Sequence, residues 1–241
     1  MTVQVFVTVG TSALTKFPPN GWQNKEKDLI KKLRQGNNEF FKSCKQDMIG
    51  KVTRILNSYG DKADTRGFER YTAELGSLLA MKRQENMLDN DPANNHIILL
   101  HTDTAEGQLC AEVLKEVIEK TSGNAALADK VQFKRIDSLS AENPENFETG
   151  LKKLQELVQT CCKESPDSNK IFNITGGYKG LIPYATLLAW DFNMLVCYLY
   201  EQSKELIKIY RPLEPWKPIF SEVVAKTTFP SPKKKVRALL D

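Results

Sequence analysis

Short apolar blocks alternate with longer stretches of helical spacing along this chain. Val3-Gln4-Val5-Phe6-Val7-Thr8-Val9 is rich in β-branched residues and almost wholly apolar, the composition of a strand buried on both faces of a parallel sheet. It runs directly into Gly10-Thr11-Ser12. Further strands are expected at His96–His101, Val131–Ile136 and Lys170–Ile174. A closing pair, Leu195–Tyr200 and Leu206–Tyr210, is separated by five polar residues, a spacing that suits a hairpin or strand pair. Between the blocks the period changes to that of a helix. Lys25–Arg34 and Glu39–Asn57 read as helices, and a third carries Phe68, Tyr71, Leu75, Leu78 and Leu79 on one stripe. The helix opening after Thr102 has its stripe at Leu109, Val113, Leu114 and Val117. That of Asn146–Lys163 runs through Phe147, Leu151, Leu154, Leu157 and Val158. The helix from about Lys179 to Phe192 is nearly all apolar and is expected to be buried on several sides.

Strands alternating with helices predict an α/β fold: a Rossmann-like, mostly parallel sheet flanked by helices, with a helical insertion over residues 25–88 and a C-terminal strand pair. One domain covers residues 1–211. Residues 212–241 form an irregular, proline-containing extension with a basic end at Lys233-Lys234-Lys235 and Arg237. That end reads as a solvated tail, a dimer-edge arm or an import signal. With right-handed crossovers the first strand lies beside the fourth, and ligands bind at such a switch point. The insertion reads as a lid or as a dimer contact.

Composition narrows the chemistry. Thirty-four basic against 30 acidic residues leave a formal charge of +4, too mild for a surface that coats long nucleic acid. An anionic ligand is therefore expected in a pocket. No stretch reaches the roughly 18 apolar residues of a membrane span, and the first residues enter a strand rather than a basic-then-apolar leader. A cytoplasmic protein is expected. The five cysteines contain no CxxC pair and sit in apolar patterns, as small buried hydrophobes do in a reducing compartment. His96 and His101, the two histidines, lie five apart in one strand and so on opposite faces, unable to chelate one metal. Neither a metal nor a cofactor is expected.

The candidate chemistry lies in the loops after the strands. Asn173-Ile174-Thr175-Gly176-Gly177-Tyr178-Lys179 ends a strand in a glycine turn and sets Lys179 at a helix start, where a cation opposes the macrodipole. An anion held by the turn's free N–H groups would justify it; a plain strand-to-helix turn with a solvated lysine is the alternative. The switch-point topology brings this loop to Gly10, Thr11 and Ser12. Together they offer hydroxyls, backbone N–H groups, the Tyr178 ring and one cation, a set suited to a phosphodiester with an adjacent base. Tyr178 also suits packing on its own helix. Asp103 and Thr104, after the second strand, read either as helix caps or as a third edge of the site, with Gly107.

Three motifs taken in order, Val9-Gly10-Thr11-Ser12, Asp103-Thr104-Ala105-Glu106-Gly107 and Asn173 to Lys179, resemble the CRISPR-associated Rossmann-fold family, as does Thr72-Ala73-Glu74-Leu75. The resemblance covers most of residues 1–200. It implies a homodimer that binds a cyclic oligoadenylate, usually cyclic tetra-adenylate or hexa-adenylate and here foremost the tetra-adenylate, across its two-fold axis. The ligand-binding residues it implies are Gly10, Thr11, Ser12, Asp103, Thr104, Gly107, Asn173, Thr175, Gly176, Gly177, Tyr178 and Lys179. No arginine stands five residues before either histidine, so the R-x4-H ribonuclease signature carried by some relatives is absent. The chain thus looks like the standalone ring nucleases. These cut the ring without metal by attack of a ribose 2′-hydroxyl, leaving 2′,3′-cyclic phosphate ends and switching off type III CRISPR signalling. Lys179 would stabilise the phosphoryl charge and Ser12 would orient ribose or phosphate. A sensor that binds the ring without cutting it, a DNA-binding regulator and an unrelated nucleotide-binding domain are the competing readings.

Overall fold

The computed structural model describes residues 2–59, 70–83, 85–121, 126–139, 144–200 and 205–212. Among these residues, six strands form one sheet: β1 (Val3–Thr8), β2 (Asn95–Thr102), β3 (Lys130–Ile136), β4 (Asn169–Asn173), β5 (Leu195–Leu199) and β6 (Leu206–Ile209). Their order is β3-β2-β1-β4-β5-β6. All neighbours are parallel except β5 and β6, which pair antiparallel. The chain order reverses between β1 and β4, so the switch point falls where the strand pattern places it. Strand β1 is buried at every position because sheet neighbours flank it and helices cover both faces.

Among the described residues, seven helices flank the sheet: α1 (Ser12–Lys16), α2 (Glu26–Leu33), α3 (Asn38–Tyr59), α4 (Ala73–Arg83), α5 (Ala105–Lys120), α6 (Pro144–Glu164) and α7 (Ile182–Asp191). Alternation of side chains along β1 and β2 divides the core. Val5, Val7, Ile97 and Leu99 pack beneath α3, α4 and α5 on one face. Phe6, Ile98 and Leu100 pack with Leu154, Leu181 and Leu188 from the α6 and α7 side on the other. Helix α2 is fastened to α5 at its C-terminal end, where the Arg34 guanidinium donates to the buried Glu106 carboxylate at 2.5 Å.

Several sequence expectations change. The turn after β1 continues into the short helix α1, which pattern alone does not show because five residues carry too little periodicity. The third insertion helix begins at Ala73, so Tyr71 precedes it, although its ring is buried; Phe68 lies outside the described residues. Helix α4 is instead buried continuously from Glu74 to Met81, since it lies under neighbours on several sides rather than presenting one stripe. Helix α7 does the reverse. Only Ala185, Leu188 and Ala189 within it are buried, while Leu187 is 39% exposed. Its apolar surplus is a surface stripe and not a second buried face. Lys179 begins a single 3₁₀ turn, Lys179–Leu181, before the helix proper. Pro183 in the first turn suits that start, because its missing N–H falls where no intrahelical bond is required.

Met1–Ile209 form one unit; beyond it the described backbone runs to Pro212. The proline-containing extension otherwise lies outside the described residues. No described helix is long and apolar enough to cross a membrane, and the described residues hold no cluster of three or more metal-ligating side chains.

Candidate functional site

At the switch point the loops after β1 and β4 meet backbone to backbone. A Cβ placed on Gly10 would stand 2.7 Å from the Gly177 nitrogen and 3.1 Å from its Cα. Gly177 itself adopts φ +85, a conformation that a side chain disfavours. Glycine is therefore required on both sides of the contact, by close approach at one residue and by left-handed backbone at the other. The Thr8 hydroxyl secures the contact by donating to the Gly176 carbonyl at 2.6 Å. Strand β2 is tied in by the Val9 N–H, which donates to the Leu100 carbonyl at 2.8 Å.

Beneath the two loops lies Glu74, in the first turn of α4, with no exposed surface. Its Oε1 accepts the Gly10 N–H at 2.8 Å and its Oε2 accepts the Ser12 hydroxyl at 2.6 Å. Ser12 Oγ in turn accepts the Ala73 N–H at 3.1 Å. A Cβ on Gly176 would stand 2.3 Å from Glu74 Oε1, so the glycine turn rests on this carboxylate. Burial of a carboxylate is costly without donors. Glu74 meets that cost with two hydrogen bonds and a helix start, where negative charge is favoured. In the sequence Glu74 stands out only as part of the Thr72-Ala73-Glu74-Leu75 resemblance, with no site role given to it. The available signal was that Glu74 is the one charge between Tyr71 and Met81, and a lone charge in such a run needs a buried partner.

The remaining residues of the β4 loop fall into two groups. Asn173 and Thr175 hold the turn from below. Asn173 is fully buried, donates to Ser77 Oγ at 2.6 Å and accepts both the N–H and the hydroxyl of Thr175 at 3.1 and 2.7 Å. Thr175 Oγ1 also accepts the Leu199 N–H at 2.9 Å, joining the turn to β5. Tyr178 and Lys179 are outward and exposed. The Tyr178 ring lies over Gly180, where a Cβ would come within 2.5 Å of it, and meets Phe147 edge-on at 6.0 Å. It is thus packed and still 52% exposed. The Lys179 side chain has no hydrogen bond or ion pair to another described residue, while its carbonyl accepts the Ile182 N–H.

After β2, Thr104 caps α5: its Oγ1 accepts the Gly107 N–H at 3.1 Å and lies 2.9 Å from the Thr102 hydroxyl. Gly107 is confined by that cap, since a Cβ would stand 2.7 Å from Thr102 Oγ1. Asp103 is exposed and accepts the Ser138 N–H at 3.0 Å, linking the ends of β2 and β3. His101, next to them, is buried and packs beside Phe133 on the α5 side of the sheet. Its Nδ1 lies 2.7 Å from the Thr102 carbonyl. Burial pushes the imidazole pKa below its ordinary value, which favours the neutral ring. The cysteines are equally quiet: burial pushes Cys197 up to about 12 and Cys162 up to about 11, so neither is a thiolate nucleophile at neutral pH.

A small recess of about 20 Å³, room for little more than a water molecule, adjoins the glycine turn on the α6 side. Leu100, Ile136, Leu154 and Leu181 wall it, the threonines at 8 and 102 contribute polar edges, and Gly177 and Tyr178 form its rim. Lys179 follows directly on that rim. The arrangement offers, side by side, an exposed aromatic ring, an exposed cation and a half-buried hydroxyl wired to a buried carboxylate.

Residues 69–212, more than half of the chain, match the CRISPR-associated protein family Cas_APE2256. The matched span holds Glu74, the Asp103–Gly107 segment and the Asn173–Lys179 loop. No curated protein matches the chain.

Proposed function

Because the chain belongs to the CRISPR-associated protein family Cas_APE2256, we propose that it binds a cyclic oligoadenylate, cyclic tetra-adenylate foremost, at the switch point of a homodimer and cleaves it to linear products. The observation that carries this reading is the meeting of Gly10 with Gly177, which turns two weak loop motifs into one composite site. The exposed cation of Lys179, with no ion pair to a described residue, stands two residues further on. A cyclic oligoadenylate presents what such a site accommodates: a flat base for the exposed Tyr178 ring, and phosphodiesters for the cation.

The reaction requires little of the protein beyond geometry and charge. A ribose 2′-oxygen attacks the neighbouring phosphorus, the bond to the 5′-oxygen breaks, and a 2′,3′-cyclic phosphate with a free 5′-hydroxyl results. Holding the attacking oxygen in line supplies part of the rate, and positive charge at the phosphoryl oxygens supplies more. Lys179 provides that charge. Product of this kind would end signalling by the intact ring.

The test is incubation of the protein with cyclic tri-, tetra- and hexa-adenylate, with products resolved by chromatography. Cleavage of the tetra-adenylate to cyclic-phosphate-ended products is expected, and Lys179→Ala should slow single-turnover cleavage by about 10²–10³-fold, the usual loss of one transition-state charge contact. Tight binding with the ring recovered intact after long incubation would make the protein a sensor instead. Cleavage unaffected by Lys179→Ala would remove that residue from the mechanism.

A further inference from the structure

Hydrogen-bond accounting at Ser12 restricts what that residue can do. A serine hydroxyl has one proton to donate and two lone pairs. The proton is committed to Glu74 Oε2 at 2.6 Å, and one lone pair to the Ala73 N–H at 3.1 Å. Ser12 is half-buried and therefore reachable, but what it has left to offer a ligand is a single acceptor position. It cannot donate to a phosphate oxygen without giving up a short bond to a buried carboxylate. Its remaining lone pair can accept from a hydroxyl.

We propose that Ser12 and Glu74 form a proton relay, in which Ser12 accepts the proton of the attacking 2′-hydroxyl while passing its own to Glu74. This rests on the ring-cleaving reading above and assigns to that site a base it otherwise lacks. In the step, the 2′-oxygen forms its bond to phosphorus as its proton moves to Ser12 Oγ, and the Ser12 proton moves to Glu74 Oε2. The phosphorus to 5′-oxygen bond breaks, and the Lys179 ammonium protonates the departing oxygen. Exchange with water returns the proton from Glu74 to Lys179, so the ring opens with no net gain or loss of protons. Glu74 does not touch the substrate; it acts through Ser12 as a positioning residue and proton acceptor. Its burial fits the role, since the carboxylate is kept from the ligand phosphates while remaining wired to the surface through one hydroxyl. The Gly10 N–H on Oε1 holds the carboxylate in register.

The experiment compares wild type, Glu74→Gln, Ser12→Ala and the double variant for affinity toward cyclic tetra-adenylate and for single-turnover cleavage, with thermal unfolding as a check on folding. The relay predicts that each single variant binds the ring within about twofold of wild type and cleaves about 10²-fold more slowly, the usual contribution of general-base catalysis. The double variant should be no slower than the singles, because both belong to one unit. Parallel loss of affinity and rate would mark Ser12 as a ligand donor and Glu74 as a structural clamp, overturning the relay; so would an unchanged rate in Glu74→Gln. Should Glu74→Gln fail to fold, Ser12→Ala decides alone by the same split between rate and affinity. A wild-type protein that neither binds nor cuts the ring sinks the functional reading itself, whereas a cleaving wild type with unaffected variants sinks only the relay.

Discussion

The contact between Gly10 and Gly177 shows how a single missing side chain can define a site. Each residue taken alone is a common turn glycine. Together they allow two main chains to approach until a Cβ on one would lie 2.7 Å from the nitrogen of the other. Gly10→Ala should therefore force the loops apart, at a cost of about 1–3 kcal/mol in the manner of an overpacked interior. Denaturant unfolding measures this; a change under about 0.5 kcal/mol would mean that the loops separate freely. Glu74 is the complementary case. It sits at a capped helix start, where Thr72 Oγ1 accepts the Leu75 N–H at 3.1 Å. The second task of that residue, holding Gly10 and Ser12, is invisible in any local window.

At the scale of elements, α4 is the piece on which the site depends. It arrives at the end of the insertion, buries every residue from Glu74 to Met81, and delivers Glu74 and Ser77 to the undersides of two different loops. The helical spacing of Leu75, Leu78 and Leu79 was legible in the sequence; its burial on further sides was not, because small residues such as Gly76, Ser77 and Ala80 break no pattern while permitting close packing. Leu78 has no exposed surface. Leu78→Ala should cost about 2–5 kcal/mol, the range for deleting a buried leucine side chain, as read from urea or guanidinium denaturation. A loss under about 1 kcal/mol would show that α4 is only loosely held. Helix α7 carries the opposite lesson. Its apolar composition overstated its burial, since one stripe reaches the sheet and another, with Pro183 and Leu187, meets solvent.

For the molecule as a whole, the proposed ligand carries a symmetry argument. A cyclic oligoadenylate repeats the same nucleotide around its ring, so two identical half-sites related by a two-fold axis would each bind half of it. The expected outcome of sedimentation or light scattering is therefore a dimer, and titration should show one ring bound per two chains. A monomer that binds one ring per chain would contradict the two-fold arrangement while leaving ring binding itself intact.

The residues by themselves determined the strand blocks, the helical stripes, the order of the sheet around its switch point and the loops that converge there. These depend on signals within a few residues, such as apolar period, glycine and turn chemistry, combined with the handedness of crossovers. The tertiary structure alone decided which groups those loops hand to one another. The bonds from Gly10 and Ser12 to Glu74 span 64 and 62 positions of sequence. Whether a hydroxyl is free to donate or only to accept depends on which buried partner folding has set beside it. Local pattern located the site; long-range packing determined what its serine has left to offer.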